Sequence, residues 1–260
     1  MKIKIYQVDA FASHVFEGNP AAVCPLDEWL NDDILQKIAE ENNLSETAFF
    51  VSSAQEIQLR WFTPKGEVDL CGHATLAAAH VLYEHLAFKS PIVTFQTKSG
   101  ELVVTKNDVG FSMDFPASHP LIVDAPANLL AGLGNVLPKQ IMASFDYIIV
   151  LDSENEVKSL NPDFSKWLDL DLRGVIVTAA GTDVDFVSRC FFPKLGVNED
   201  PITGSAHCEL TPYWRSKLNK SVLTGRQISN RSGIVHCEYK GDRVILTGTA
   251  VDYMSGEINI

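Results

Sequence analysis

A short passage that occurs twice is the feature that most constrains how this chain can fold. The first copy reads Arg60-Trp61-Phe62-Thr63-Pro64-Lys65, followed by Asp69-Leu70-Cys71-Gly72-His73-Ala74. The second reads Arg189-Cys190-Phe191-Phe192-Pro193-Lys194, followed by Asp200-Pro201-Ile202-Thr203-Gly204-Ser205-Ala206. In both copies a strand-like segment leads through a glycine into a helix-like segment. Repetition on this scale predicts two similar lobes, each containing a helix that begins at a glycine.

The similarity extends to the residues before the two motifs. Residues 47–64 overlay residues 176–193 without a gap, and a three-residue insertion then delays the glycine of the second copy. In this alignment Glu46 falls on Val175. The second lobe therefore offers no acid that matches Glu46.

Residue patterning predicts a mixture of strands and helices in both lobes, with a buried helix in the first. The segment from Gly72 to about Glu84 is apolar nearly all round, which is typical of a helix enclosed by a sheet or barrel. Apolar spacing predicts another helix over 32–42, capped by Asn31 or Asp32. Glu46 is placed in a loop. Strands are predicted in the first lobe at 2–10, 21–24, 48–51, 56–62, 92–96, 101–105 and 110–115.

A proline-rich stretch over 116–140 marks the predicted boundary between the lobes. The N-terminal lobe is assigned to 1–115 and the C-terminal lobe to 116–250, and the last strand, about 250–260, is a candidate to cross back and complete the first lobe. The second lobe is predicted to contain helices at 161–168 and 204–218, and strands at 146–151, 174–179, 184–191, 233–238 and 243–249, before a last strand at 256–260.

Composition limits the classes of partner. The chain carries 33 acidic and 21 basic residues, and a net charge of -12 argues against nucleic acid or an anionic membrane as the main partner. No apolar run reaches the length of a membrane span, and the N-terminus lacks the apolar core of a signal peptide. The five cysteines lack metal-site spacing, so we expect reduced thiols, a cytoplasmic protein and no metal.

The glycines that begin the two helices point to an anionic ligand. A helix N-terminus presents free N–H groups and a positive dipole end, and glycine allows a ligand to approach them closely. The alternative is that both glycines only permit tight packing. The candidate substrate-binding residues at the two helix starts are Cys71, Gly72, Ala74, Thr203, Gly204 and Ala206. Asn19 is either a turn residue or an amide ligand of the substrate.

Glu46 is the candidate proton carrier. It lies beside Ala48, Phe49 and Phe50, and desolvation by such neighbours would raise its pKa toward neutral and suit it to general acid or base catalysis. The alternative is a solvated glutamate, or a partner of Ser45 in a short turn.

Three further residues are candidates for catalysis. His73 lies one residue into the first helix, where the dipole favours a neutral imidazole that can donate a hydrogen bond or relay a proton. Ser205 is its counterpart and a candidate ligand of a carboxylate, and Asp200 is either a turn residue or a group that binds an amine or passes protons. The Cys71 thiol is expected to have a lowered pKa at the helix start. His80 and His85 are expected to be structural.

Several motifs together resemble the phenazine biosynthesis PhzF-like family. They span nearly the whole chain, in the family's order: Phe16-x-Gly18-Asn19-Pro20-Ala21-Ala22-Val23, Ser45-Glu46-Thr47-Ala48-Phe49, Arg60-x-Phe62-Thr63-Pro64, Leu70-Cys71-Gly72-His73-Ala74-Thr75 and Glu199-Asp200-Pro201-x-Thr203-Gly204-Ser205-Ala206-His207. Thr224-Gly225-Arg226-Gln227 and Arg231-Ser232-Gly233 are similar as well.

The resemblance implies an α+β fold of the diaminopimelate epimerase-like type. In this fold each of two similar lobes is a mostly antiparallel sheet rolled around a central helix, and the active site lies between the lobes. The resemblance also implies catalysis without cofactor or metal, a double-bond shift in a cyclic amino acid, and a homodimer. The family's glutamate proton carrier falls on Glu46, and its neighbouring His, Asp and Ser fall on His73, Asp200 and Ser205. The related epimerases use two thiols. Here Cys71 matches one, whereas Thr203 stands at the other position and counts against a two-thiol mechanism.

The sequence thus predicts a cofactor-independent isomerase that moves a proton or double bond on a small, carboxylate-bearing, amino-acid-like substrate. Two alternatives stay open: an amino-acid epimerase or racemase that uses Cys71, and a non-catalytic metabolite-binding or interaction protein on the same fold.

Overall fold

A computed structural model describes residues 1–260 of the chain. The β-strands are β1 Lys2–Ala10, β2 Asn19–Leu26, β3 Glu46–Ser52, β4 Ile57–Thr63, β5 Gly66–Val68, β6 Ile92–Thr97, β7 Gly100–Lys106, β8 Phe111–Pro116, β9 Leu121–Ile122, β10 Gln140–Ala143, β11 Tyr147–Val150, β12 Val175–Ala180, β13 Phe186–Phe192, β14 Val197–Asp200, β15 Val222–Gln227, β16 Gly233–Tyr239, β17 Arg243–Gly248 and β18 Ala250–Asn259. The α-helices are α1 Asp32–Asn42, α2 Gly72–His85, α3 Ala127–Gly132, α4 Glu154–Ser159 and α5 Gly204–Leu218. Short 3-10 helices cover Phe164–Lys166 and Pro193–Leu195.

The backbone contacts divide the chain into two compact units. Unit 1 comprises Met1–Asp114 together with Thr247–Ile260, and unit 2 comprises Phe115–Leu246. These bounds lie within a few residues of the predicted division at 115/116 and 250. The α+β class predicted from the sequence is confirmed, because mixed sheets and a few helices account for the regular structure.

Unit 1 is a sheet packed against the apolar helix α2. Strand β1 pairs antiparallel with both β2 and β18, β2 pairs parallel with β3, and β3 pairs antiparallel with β4. Every residue of α2 from His73 to Leu82 is buried, which confirms the enclosed helix that its apolar composition predicts. Helix α1 begins where predicted, and the Asn31 side chain caps it by accepting from the Asp33 N–H at 2.9 Å.

Unit 2 repeats the order of strands, hairpin and glycine-started helix. Strand β12 pairs parallel with β11 and antiparallel with β13, and β13 pairs antiparallel with β14 and parallel with β15. Helix α5 begins at Gly204 as predicted, and its residues from Ala206 to Pro212 are buried. Trp167 and Phe191 lie in an apolar core cluster of this unit, with their ring centroids 5.6 Å apart.

The arginine of each repeated motif has a structural role. Arg60 on β4 donates two hydrogen bonds to Glu67 on β5, at 2.7 and 2.9 Å. Arg189 on β13 makes the same bidentate contact with Glu199 on β14, again at 2.7 and 2.9 Å. These forked ion pairs hold the strand that leads to each glycine-started helix.

The strand pairing corrects the gapless alignment by one residue. Phe49 pairs with Arg60 in unit 1, whereas Val177 pairs with Arg189 in unit 2, so the two hairpins differ in register by one position. Continuing both ladders places Gly174, and not Val175, at the position equivalent to Glu46. Unit 2 therefore still has no acid at that place.

Other differences from the prediction lie where local patterns compete. Glu46 is the first residue of β3 and not part of a loop. The helix predicted at 161–168 is wrong: the chain forms α4 earlier, where Ser153 accepts from the Glu156 N–H and the Glu156 carboxylate accepts from the Asp152 N–H. Strands β5, β9, β10, β14 and β15 were not predicted, and the last strand begins at Ala250 and not at 256.

Candidate active site

A buried cluster of three side chains lies where β3 and α2 both begin, within unit 1. Nε2 of His73 is 3.0 Å from Oε2 of Glu46, and Nδ1 of His73 is 3.5 Å from Sγ of Cys71. The side chains of Glu46 and His73 are only 18% and 8% exposed. The sequence-predicted proton carrier, histidine and thiol are therefore brought together.

Glu46 and His73 form a buried charge pair. The two facing atoms, Oε2 and Nε2, are buried and have no other hydrogen-bond partner. Because a buried charge is costly without an opposite one, each group depends on the other. Any ligand polar atom that reaches this pair meets both an acceptor and a donor.

The pKa of Glu46 is opposite in direction to the sequence prediction. Burial acts to raise this pKa, but the positive charge of His73 and the hydrogen bonds from His73 and Cys71 outweigh burial and lower it below its ordinary value. Glu46 is therefore ionised at neutral pH and is a proton acceptor in this state.

His73 and Cys71 also differ from the prediction. Burial acts to lower the pKa of His73, but the negative charge of Glu46 and the hydrogen bonds with Cys71 and Glu46 outweigh burial and raise that pKa well above the ordinary value. The imidazole is thus protonated, and the helix dipole does not decide its charge. Burial and the negative charge of Glu46 raise the pKa of Cys71, which stays a neutral thiol.

The first turn of α2 keeps its backbone donors available. Cys71 occupies the N-cap position without forming a side-chain capping bond, and the first turn contains no acidic residue. Ala74, which belongs to this turn, is fully buried. Asn19 is also fully buried, and its side-chain oxygen accepts from the Ser45 hydroxyl at 3.1 Å, which links Asn19 to the residue before Glu46.

A polar network surrounds the start of α5 in unit 2. The Thr203 hydroxyl donates to the Asp200 carboxylate at 2.5 Å. The buried Gln227 accepts from the Thr203 N–H at 2.9 Å and donates to the Asp200 carbonyl at 2.7 Å. Gln227 therefore fixes both residues. Sequence reasoning did not assign it this role, although it lies in one of the family-like stretches.

Ser205 belongs to a second network that the sequence did not reveal. Nη2 of Arg173 donates to Oγ of Ser205 at 2.9 Å, and the same guanidinium forms a forked ion pair with Asp146. Because the Ser205 oxygen accepts this bond, its own hydrogen is directed elsewhere and is available for an acceptor such as a carboxylate. Neither Arg173 nor Asp146 lies in a recognisable motif.

The glycine at the start of α5 is not required by packing. A Cβ atom added to Gly204 would meet only Cδ1 of Leu246, at an ordinary contact distance of 3.8 Å. Thr203 and Ala206 on either side are buried, whereas Gly204 is partly exposed. This favours the interpretation that Gly204 keeps the helix amides accessible.

The chain is similar to known proteins over nearly its whole length. The sequence profile described as "Phenazine biosynthesis-like protein" matches residues 8–256. The chain belongs to this family. Its PhzF-like relatives include an uncharacterised isomerase of Pseudomonas aeruginosa, which is 51% identical over 260 residues and matches over the full length of both chains. An uncharacterised isomerase of Halalkalibacterium halodurans is 49% identical over 264 residues, with 99% of each chain covered.

Solved structures confirm the predicted fold family. The PhzF-family protein of Enterococcus faecalis matches with a TM-score of 0.97 at 48% identity, over 100% of both chains. A hydroxyproline epimerase from Agrobacterium vitis matches with a TM-score of 0.62 at 10% identity, over 99% of this PhzF-like chain and 92% of the epimerase, and so shares the fold alone. No helix of the chain combines the length and apolar character needed to cross a bilayer.

Proposed function

We propose that this PhzF-like protein is a cofactor-independent isomerase that moves a proton, and with it a double bond, on a small amino-acid-like substrate carrying a carboxylate. The observation that carries the proposal is the buried Glu46–His73 pair, with facing atoms 3.0 Å apart and no other partner. The names of its relatives as isomerases support the same reaction class.

In the proposed reaction, ionised Glu46 removes a proton from a substrate carbon and returns it to another carbon of the same molecule. Such carbon acids are weak, so the negative charge that develops has to be stabilised. Protonated His73 and the free N–H groups of the first turn of α2 supply that stabilisation. The electron pair of the broken C–H bond stays on the substrate and shifts the double bond, and the proton is returned to another carbon, so the substrate is neither oxidised nor reduced overall.

The start of α5, in unit 2, is proposed as a binding site for a carboxylate. The Ser205 hydroxyl is held as a donor by Arg173, and Thr203 offers no side-chain cap to this helix, so its first amides are available to an anion. The Thr203 hydroxyl binds Asp200, and we assign Asp200 to the substrate amine or to proton passage. The predicted homodimer and cytoplasmic location stay predictions.

The proposal is tested by deuterium exchange from heavy water into a panel of amino acids and unsaturated cyclic amino acids, read by mass spectrometry. Wild-type protein should exchange deuterium into one class of these compounds, and Glu46→Gln should abolish the exchange but retain binding of the compound. Glu84→Gln is the matched control, because Glu84 lies on the exposed side of α2 and pairs with Lys106. Exchange that survives Glu46→Gln would overturn the role of Glu46.

The raised pKa of the Cys71 thiol counts against the epimerase alternative, because a buried neutral thiol is a poor base. Cys71→Ser separates the two mechanisms. Full turnover in this variant removes the thiol mechanism, whereas loss of racemisation of a chiral amino acid would support it. Binding without any exchange by the wild-type protein would favour a non-catalytic metabolite-binding protein.

A further inference from the structure

A second cluster of ligand-type side chains lies in unit 1, at the opposite end of α2 from Glu46 and His73. His80 and His85 of this helix both face Asp252 of the last strand, β18. Nε2 of His80 is 3.2 Å from Oδ1 of Asp252, and Nε2 of His85 is 3.0 Å from the same oxygen and 3.1 Å from Oδ2. The ligand atoms of the three residues all lie within 4.8 Å of one another.

These distances are close to those between neighbouring ligand atoms of a bound metal ion. Around a tetrahedral ion with bonds of about 2.1 Å to nitrogen and oxygen, neighbouring ligand atoms are about 3.4 Å apart. The observed nitrogen–oxygen separations are 3.0 to 3.2 Å. Two imidazole nitrogens and one carboxylate favour a borderline divalent transition ion such as Zn²⁺ or Ni²⁺ over Mg²⁺ or Ca²⁺, which prefer oxygen.

A β-bulge directs the carboxylate toward the helix. Gln7 pairs with Met254, but Val8 pairs with Asp252, so Tyr253 is the extra residue in β18. A regular ladder would place Tyr253 opposite Val8. Val8 is fully buried, and paired residues share a face of the sheet, so the bulge sets Asp252 on the side of the sheet that carries the core.

Both imidazoles are held by neighbouring rings. His85 stacks on Tyr6 with centroids 4.4 Å apart, and His80 meets the edge of Phe111 at 6.0 Å. Glu84, the nearest additional carboxylate, is engaged by Lys106 at 2.8 Å. The three ligands are thus positioned before any ion binds, and one side of the cluster stays open, since His85 and Asp252 are 27% and 43% exposed.

We propose that His80, His85 and Asp252 form a binding site for one divalent transition-metal ion, which ties the C-terminal end of α2 to the last strand. The site is independent of the proposed isomerase reaction. On binding, the ion replaces the hydrogen bonds to Asp252, and each histidine moves its proton from Nε2 to Nδ1 while Nε2 takes the ion. Solvent completes the coordination.

The test titrates untagged, chelator-treated protein with Zn²⁺ and Ni²⁺, with Mg²⁺ as a hard-ion control, followed by calorimetry and thermal unfolding. One equivalent of Zn²⁺ should bind and raise the melting temperature by several degrees, whereas Mg²⁺ should do neither. His85→Gln and Asp252→Asn should each lose that equivalent. Glu257→Gln is the matched control, because Glu257 lies on the same strand and pairs with Lys2.

A competing zinc site is separated by its own variant, since Glu46, Cys71 and His73 also have ligand atoms within 4.8 Å of one another. Cys71→Ser should leave the proposed equivalent in place. In the cobalt-loaded protein, the absorption spectrum should lack a thiolate-to-metal band. The proposal is overturned if wild-type protein binds no equivalent of Zn²⁺. It is also overturned if the bound ion is lost in Cys71→Ser but retained in His85→Gln and Asp252→Asn. Both outcomes are independent of the result of the deuterium assay.

Discussion

We expect the wild-type protein to lose stability as the pH rises from acid to alkaline values. Replacing Glu209 by glutamine should remove this loss. Glu209 lies on α5 and is fully buried. Its Oε2 accepts from the Asp146 N–H at 3.3 Å, and its Oε1 has no hydrogen-bond partner. Burial first, and then the negative charge of Asp146, raise the pKa of Glu209 from 4.5 to about 8.

The sign of the effect follows from proton binding. Between pH 4.5 and about 8 the folded protein holds a proton on Glu209 that the unfolded chain has released, so the free energy of unfolding falls as pH rises through this window. Each unit of pKa difference corresponds to about 1.4 kcal/mol, so the full cost above the folded-state pKa is about 5 kcal/mol. With a urea dependence of about 2 kcal/mol per molar, the unfolding midpoint moves by about 2.5 M.

The measurement is urea unfolding at a series of pH values, followed by fluorine NMR of fluorotryptophan-labelled protein. Trp167 and Trp214 report on unit 2, which contains Glu209. Glu209→Gln keeps a neutral side chain of the same shape, so its midpoint should stay nearly constant where that of the wild type falls. Glu238→Gln is the control, because Glu238 forms a surface ion pair with Lys240. This variant should follow the wild-type curve. Parallel curves for wild type and Glu209→Gln would refute the reasoning.

Three further outcomes are expected. The five cysteines are free and buried, so a thiol reagent at neutral pH should label none in the native protein and all five after unfolding; rapid labelling of native Cys71 would contradict its raised pKa. Gly204→Ala should keep or raise the melting temperature, because the added methyl group fits. The same variant should slow deuterium exchange into the substrate, because the methyl group blocks the helix amides. Unchanged exchange would leave Gly204 without a ligand role. Deleting residues 250–260 removes the strand that pairs with β1, so limited proteolysis should degrade residues 1–114 first, whereas equal loss of both units would contradict the division.

The parts of the fold that local patterning determines could be predicted from the sequence. Helix α2 is apolar on all sides, and α1 has a capping asparagine followed by apolar residues at helical spacing, so neighbouring residues alone specify both. The helix expected at 161–168 failed because Ser153 and Glu156 form a stronger start signal a few residues earlier.

The candidate residues could be predicted as a set, but their charge states could not. The pKa of Glu46 depends on which side chain faces it, and its partner His73 comes from the next helix. Burial alone gave the wrong sign, since the opposite charge outweighs it. Arg173 and Gln227 were missed for the same reason: each acts on residues more than twenty positions away in sequence, through contacts that only the folded chain creates.

The pairing of the first strand with the last has a consequence for biosynthesis. Nine residues of β1 lie against β18, and the amino-terminal nitrogen meets the carbonyl of Ile260. The ribosome synthesises β1 before β18, so β1 cannot pair with β18 until residues 11–249 have been synthesised. Residues 115–246 are complete before then. The nascent chain should therefore acquire protease resistance in residues 115–246 first, and unit 1, which contains Glu46, should become resistant only after β18 has been synthesised.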